Sequence, residues 1–125
     1  MLSSIHQISV RAHDTERAVA FYRDVLGLRL LFQAPPNLAF FDCGGVRLML
    51  GPATPEFDHQ GSIVYFAVDD IASTHATLVS RGVRFRSDPR CIATLPDREV
   101  WLADFEDSEG NVLALMSEPR TPPKV

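Results

Sequence analysis

Apolar and polar residues alternate from Ile5 to Ala12, with Ile8, Val10 and Ala12 on one face and Gln7, Ser9 and Arg11 on the other. A period of two predicts a strand with one face on a core. The period then lengthens. Ala18, Val19, Phe21, Tyr22, Val25 and Leu26 recur at steps of three and four, which predicts a helix with a single apolar stripe. Asp14 suits its N-cap and Gly27 its left-handed stop. Strands are predicted next over 28–32, 38–42 and 46–50, separated by turns at Pro35-Pro36-Asn37 and Gly44-Gly45.

The same order then recurs. Residues 51–61 are polar and turn-rich, with Pro52 and Pro55, and read as a linker. Ile63 to Val68 is apolar on both faces, which predicts a well-buried strand. A second helix is predicted from Asp70 to Arg81, with Ile71, Ala72, His75, Leu78 and Val79 on its inner stripe. Asp69 opens this pattern and Gly82 closes it thirteen residues later, the spacing of Asp14 and Gly27. Strands are predicted at 83–86, 100–105 and 112–116, with a loop over 87–98 and an acidic turn over 106–111. Each half reads βαβββ. The doubled unit predicts an α+β fold, with helices on one side of a curved sheet. A single domain is expected over 1–118, with module one at 1–58 and module two at 59–118. The Pro-rich tail, 119–125, is expected to be extended and mobile.

Composition narrows the function classes. The 125 residues suffice for one domain with a real core. Their 46% hydrophobic and 22% charged content is that of a soluble globular protein. The net charge of −4, with the 12 Lys and Arg scattered along the chain, argues against a nucleic-acid partner. No apolar run approaches the roughly 20 residues that span a bilayer. Met1 to His6 shows no basic region and no apolar signal core, so a cytoplasmic protein without membrane partners is expected. Cys43 and Cys91 are too few for a disulfide framework and read as reduced thiols.

Three segments carry a resemblance. Asp14 through Leu28, with Arg17-Ala18, Phe21-Tyr22 and Leu26-Gly27-Leu28, resembles the first-helix signature of the vicinal oxygen chelate superfamily. This group includes glyoxalase I, extradiol dioxygenases and bleomycin-resistance proteins. Val68-Asp69-Asp70-Ile71 with Leu78, Gly82 and Val83 resembles its second helix. Asp107-Ser108-Glu109-Gly110-Asn111 and the strand after it resemble its closing turn, with Ser108 where proline is usual. The resemblance implies paired βαβββ modules forming a curved eight-stranded half-barrel, with a groove between the modules. It also implies a homodimer.

The family's metalloenzymes hold one divalent ion through a side chain from each quarter of the fold. The resemblance assigns those positions to Gln7, Met49, Ile63 and Ala114. Gln coordinates weakly, Met poorly suits a hard ion, and Ile and Ala offer no donor. No metal and no cofactor are therefore expected. His6 precedes Gln7 by one residue, and parity turns it to the opposite face. His13, His59 and His75 form no spaced pair with another ligand.

Parity from the ligand positions predicts the lining of the groove. The first strand contributes Gln7, Ser9 and Arg11, and the fourth Arg47 and Met49. Phe40 and Phe41 point oppositely, and Phe41 is taken as the lining residue. Ile63 and Tyr65 come from the fifth strand, Ala114 and Met116 from the last. Trp101 and Phe105 share one face of the seventh strand, which is assigned to the groove. An apolar and aromatic cleft with a few polar groups suits a small molecule. Arg11 and Arg47 could pair a carboxylate or phosphate on it, and Tyr65 and Gln7 could orient it. The expected function is metal-free binding of a small apolar or aromatic molecule, similar to the family's drug-binding resistance proteins. The alternative is a glyoxalase-like lyase or isomerase, or a dioxygenase-type enzyme, using a divalent metal or a metal-independent mechanism. No base-and-acid pair is legible for it.

Overall fold

The change of period at Asp14 falls between β1 (Gln7–Ala12) and α1 (Thr15–Ala20) in a computed structural model, which describes residues 1–121. The Asp14 carboxylate accepts a hydrogen bond from the Arg17 N–H at 3.1 Å, the capping expected of that residue. The helix then widens into a π-helical turn, Phe21–Val25, in which the Leu26 N–H reaches back to the Phe21 carbonyl at 3.0 Å. Strands β2 (Arg29–Ala34), β3 (Leu38–Cys43) and β4 (Val46–Pro52) follow. The second series is β5 (Val64–Ala67), α2 (Ile71–Ser80), β6 (Arg90–Thr94), β7 (Glu99–Glu106) and β8 (Val112–Ser117).

The chain divides into two compact units. The first comprises Met1–Gly61 with Asp107–Asn111, and the second Ser62–Glu106 with Val112–Val125. In the first, a four-stranded sheet runs β1-β4-β3-β2, with β1 parallel to β4 and the other pairs antiparallel. Its core lies on one face. Val10, Ala12, Ala39, Phe41, Leu48 and Leu50 are buried there, as are Ala18 and Val19 of α1 and Tyr22 of the π turn. The second unit repeats the topology as β5-β8-β7-β6, with β5 parallel to β8. Ile71 and Leu78 of α2 are buried with Val83, Ala103, Phe105, Leu113 and Leu115. The α+β prediction and the order βαβββ in each half hold in these elements.

Five details differ from the expected elements. Asp70, not Asp69, caps α2, accepting from the Ser73 N–H at 3.1 Å. Ala72 and Val79 are exposed rather than part of the inner stripe. Residues 83–86 form no full strand. Val83 donates to Leu78 O and closes the helix, and Phe85 makes only an isolated bridge to Phe105. The fourth strand of that sheet is β6, inside the segment expected to be a loop, where Arg90 pairs with Leu102 and Thr94 with Glu99. Residues 119–121 do not hang free, because Glu99 N donates to Pro119 O and Thr121 N to Asp97 O, both at 3.0 Å. Pro122 and Pro123 of the expected mobile tail lie outside the described residues. Among those described, no helix is long and apolar enough to cross a membrane.

Candidate functional site

Burying Val10, Leu48 and Phe41 against α1 leaves the opposite face of the first sheet for other work. Register sets its members. Gln7 stands opposite Arg47, Ser9 opposite Met49, Phe40 opposite Met49, and Phe32 opposite Phe40. Cross-strand partners share a face, so Phe32, Phe40, Met49, Arg47 and Gln7 form one continuous patch. Phe32 and Phe40 stack with ring centroids 4.5 Å apart, and Phe32 remains 50% exposed. The Arg47 guanidinium carbon lies 5.5 Å from the Phe40 centroid, over the ring. Arg47 Nε donates to Gln7 Oε1 at 2.6 Å, and the Gln7 amide in turn points at Met49 Sδ, 3.7 Å away. Asp42 faces Arg47 across the ladder, but its carboxylate accepts from the Gly45 N–H at 3.3 Å. Among the described residues no carboxylate forms an ion pair with Arg47.

Two expectations for this unit are corrected. Phe41 does not line the open face. It is fully buried opposite Leu48, with its ring 5.9 Å from Tyr22, and Phe40 takes the outward place. Arg11 is committed elsewhere. Its Nε donates to Asn111 Oδ1 at 2.9 Å and its Nη1 pairs with Asp58 at 3.1 Å. His13 also meets Asp58, at 2.9 Å.

The second unit is described on its own terms. Tyr65 stands opposite Ala114 and Ala67 opposite Met116, so these four share the face away from Leu113, Leu115 and α2. Tyr65 is 51% exposed, and Ile63, just before β5, is also exposed, so this segment is not the well-buried strand expected: its outward side faces solvent. Across β8, Leu102 faces Met116 and Asp104 faces Ala114. Trp101 and Phe105 pair with Ser117 and Leu113 and therefore lie on the other face, contrary to the assignment made from the sequence. Phe105 is fully buried, 5.1 Å from Phe85, which contacts His75. Trp101 Nε1 donates to Glu99 at 3.0 Å. Asp104 was not singled out from the sequence. Its carboxylate accepts from Ser87 at 3.0 Å and lies 3.6 Å from Arg86 and 3.5 Å from Arg90. Burial opposes its ionised form, but the Ser87 hydroxyl and Arg90 outweigh that and hold the carboxyl below its ordinary value.

The turn Asp107–Asn111 explains why that segment has a recognisable pattern. Glu109 has a fully buried carboxylate. Its Oε1 accepts from the N–H groups of His13 (2.7 Å) and Asp14 (2.9 Å), and its Oε2 from Arg17 Nε (2.8 Å) and Ser108 Oγ (3.1 Å). Burial would raise its carboxyl, yet these donors bring it from 4.5 down to about 2. Asp107 Oδ1 accepts from the backbone N–H groups of Glu109 and Asn111, both at 2.8 Å. Its Oδ2 accepts from Tyr22 Oη at 2.7 Å and Asn111 Nδ2 at 2.8 Å. Burial, and then the Asp107 charge, push the Tyr22 hydroxyl well above its ordinary value. The side-chain polar atoms of Asp107, Ser108, Glu109 and Asn111 are all spent on partners within the first unit, so the cluster is structural.

The positions to which the family resemblance assigns metal ligands do not fit a divalent ion. In the first unit, the Gln7 carbonyl oxygen is already held by the Arg47 guanidinium, which would repel a second cation, and Met49 offers a thioether. In the second, Ile63 and Ala114 offer hydrocarbon. Among the described residues no group of three or more His, Cys, Asp or Glu side chains is placed to hold an ion.

Comparison with known proteins agrees with the fold. A protein of Bacillus subtilis (strain 168), the uncharacterized protein YraH, is 25% identical over 87% of this chain and 94% of its own length. The crystal structure of TnmS3, an antibiotic binding protein from Streptomyces sp. CB03234, is 26% identical with a TM-score of 0.75, covering 94% of this chain and 98% of that one. Lactoylglutathione lyase from Agrobacterium tumefaciens shares the fold with a TM-score of 0.74 and 23% identity, over 93% and 94% of the two chains. Residues 4–115, nearly the whole chain, match the Glyoxalase/Bleomycin resistance protein/Dioxygenase superfamily. With the doubled βαβββ order, the capped helices and the Asp107–Asn111 turn all in place, the chain belongs to that superfamily, the vicinal oxygen chelate proteins.

Proposed function

We propose that this protein binds a small apolar or aromatic molecule without a metal ion, on the sheet face built from Phe32, Phe40, Met49, Arg47 and Gln7. The observation that carries this reading is the stacked Phe32–Phe40 pair on the outward face, with Phe32 half exposed and Phe40 half buried beneath its neighbours. Apolar rings held in water on a flat sheet face are a cost that a ligand relieves. Their stacking also fixes them as a rigid platform, so little side-chain freedom is lost when a planar ligand is laid on them. Met49 supplies an adaptable neighbour. The similarity to an antibiotic binding protein supports the same class of activity. The donor set at the family's metal positions supports a metal-independent one. Tyr65, Leu102 and Met116 give the second unit an outward apolar face of its own for the same class of ligand. The family resemblance extends the proposal to a homodimer, which sedimentation velocity tests.

The test is a melting assay on chelator-treated protein against a panel of flat aromatic compounds. A binder raises Tm with concentration as RT ln(1 + [L]/Kd) requires, and Phe40→Ala removes the rise. A panel that binds only after a divalent metal is added, or not at all, contradicts the proposal.

A further inference from the structure

We infer that the aromatic ligand is an anion, and that Arg47 selects it by its carboxylate or an equivalent acidic group. The inference rests on the proposed binding face and names the chemistry of what binds there. Arginines of this protein are mostly committed to acids. Arg11 pairs with Asp58, Arg17 with Glu109, Arg23 with Asp24, Arg86 and Arg90 with Asp104, and Arg98 with Asp97 and Glu118. Arg47 is half-buried and has no such partner among the described residues. A half-buried guanidinium without a counter-ion bears a desolvation cost that an incoming anion offsets.

The geometry favours one kind of anion. The Gln7 carbonyl accepts from Arg47 Nε at 2.6 Å, so the neutral amide anchors the inner edge of the guanidinium. The Phe40 ring covers one of its faces. The Nη edge is the part suited to a fork-like pair with a carboxylate. The same guanidinium lies over the Phe40 ring, whose stacked partner Phe32 keeps half its surface open to a ligand ring. A molecule with a flat ring and an acidic group attached to it matches both features at once. Asp42, opposite Arg47 in the ladder, is the acidic group nearest in register, and it opposes the anion without engaging Arg47.

The test uses matched pairs of mono-, bi- and tricyclic aromatic carboxylates and their primary amides, with binding measured by calorimetry. The acids are expected to bind at least about tenfold more tightly than their amides, the size of one charge-assisted hydrogen-bond pair. Arg47→Gln should erase the acid preference, so that within this variant the acid and the amide of each pair bind alike. Arg47→Lys should keep only part of it, because an ammonium lacks the fork. Asp42→Asn should tighten the acids alone. Equal binding of acid and amide by the unmutated protein, or a preference that survives Arg47→Gln, overturns the anion assignment while leaving the aromatic platform standing. Binding of neither series overturns both.

Discussion

Glu109→Gln probes the most heavily bonded charge in the protein. The carboxylate is fully buried and accepts four hydrogen bonds, from His13 N, Asp14 N, Arg17 Nε and Ser108 Oγ. Together they depress its carboxyl from 4.5 to about 2. At about 1.4 kcal/mol per unit, the ionised form contributes roughly 3 kcal/mol to folding. The sign follows from the direction of the shift. A depressed carboxyl stabilises the fold fully above its unfolded value of 4.5 and loses that contribution as pH falls toward about 2. The amide cannot be ionised, and its NH₂ would face donors that need an acceptor. The variant should therefore be less stable by about 3 kcal/mol near neutral pH, and the deficit should shrink by about half near pH 3. Urea denaturation of both proteins across this range measures it. A deficit that stays constant with pH, or one below about 1 kcal/mol at neutral pH, refutes the reasoning.

Phe41→Ala should cost about 3–5 kcal/mol in urea denaturation, because it empties a closed core site. Phe40→Ala should cost less than about 1 kcal/mol in the same experiment, since its ring lies on the outward face. The contrast checks the assignment of the two adjacent rings. Tyr22→Phe should destabilise by about 1–3 kcal/mol, since it removes the hydroxyl that donates to the buried Asp107 carboxylate.

Much of the fold was legible because periodicity and caps agree with tertiary packing. The alternation in β1 placed Val10 and Ala12 in the core and Gln7 and Ser9 outward, as observed. The choice between Phe40 and Phe41 was also available from the sequence. Gly44 and Gly45 have positive φ values of 62° and 90°, as a two-residue hairpin turn needs, and that turn pairs Cys43 with Val46. Counting back, Phe40 must face Met49, whose outward direction was already assigned. The Trp101 and Phe105 face was harder. The five-residue turn Asp107–Asn111 between β7 and β8 is too long for its length alone to set register, and β7 carries large side chains on both faces. Phe32 was hidden for a different reason. A register shift between Leu30 and Phe32 breaks strict alternation and brings Phe32 opposite Phe40. Residues 83–86 read as a strand because they are apolar in alternation, yet Val83 is used to close α2 and the rest meets β7 through a single bridge, Phe85 to Phe105, flanked by the bonds Arg86 N to Asp104 O and Glu106 N to Arg84 O. Charge partners such as Arg11 with Asp58, 47 residues apart in the chain, have no local signal at all.

The account turns on a ligand platform that works without a metal. The most direct measurement is calorimetric titration of an aromatic carboxylate into chelator-stripped protein, with elemental analysis of the same sample. The account predicts saturable binding at one ligand per site with no stoichiometric divalent ion present, and loss of that binding in Phe40→Ala. Stoichiometric metal in the purified protein, with aromatic binding that disappears on stripping and returns when the ion is restored, would contradict it.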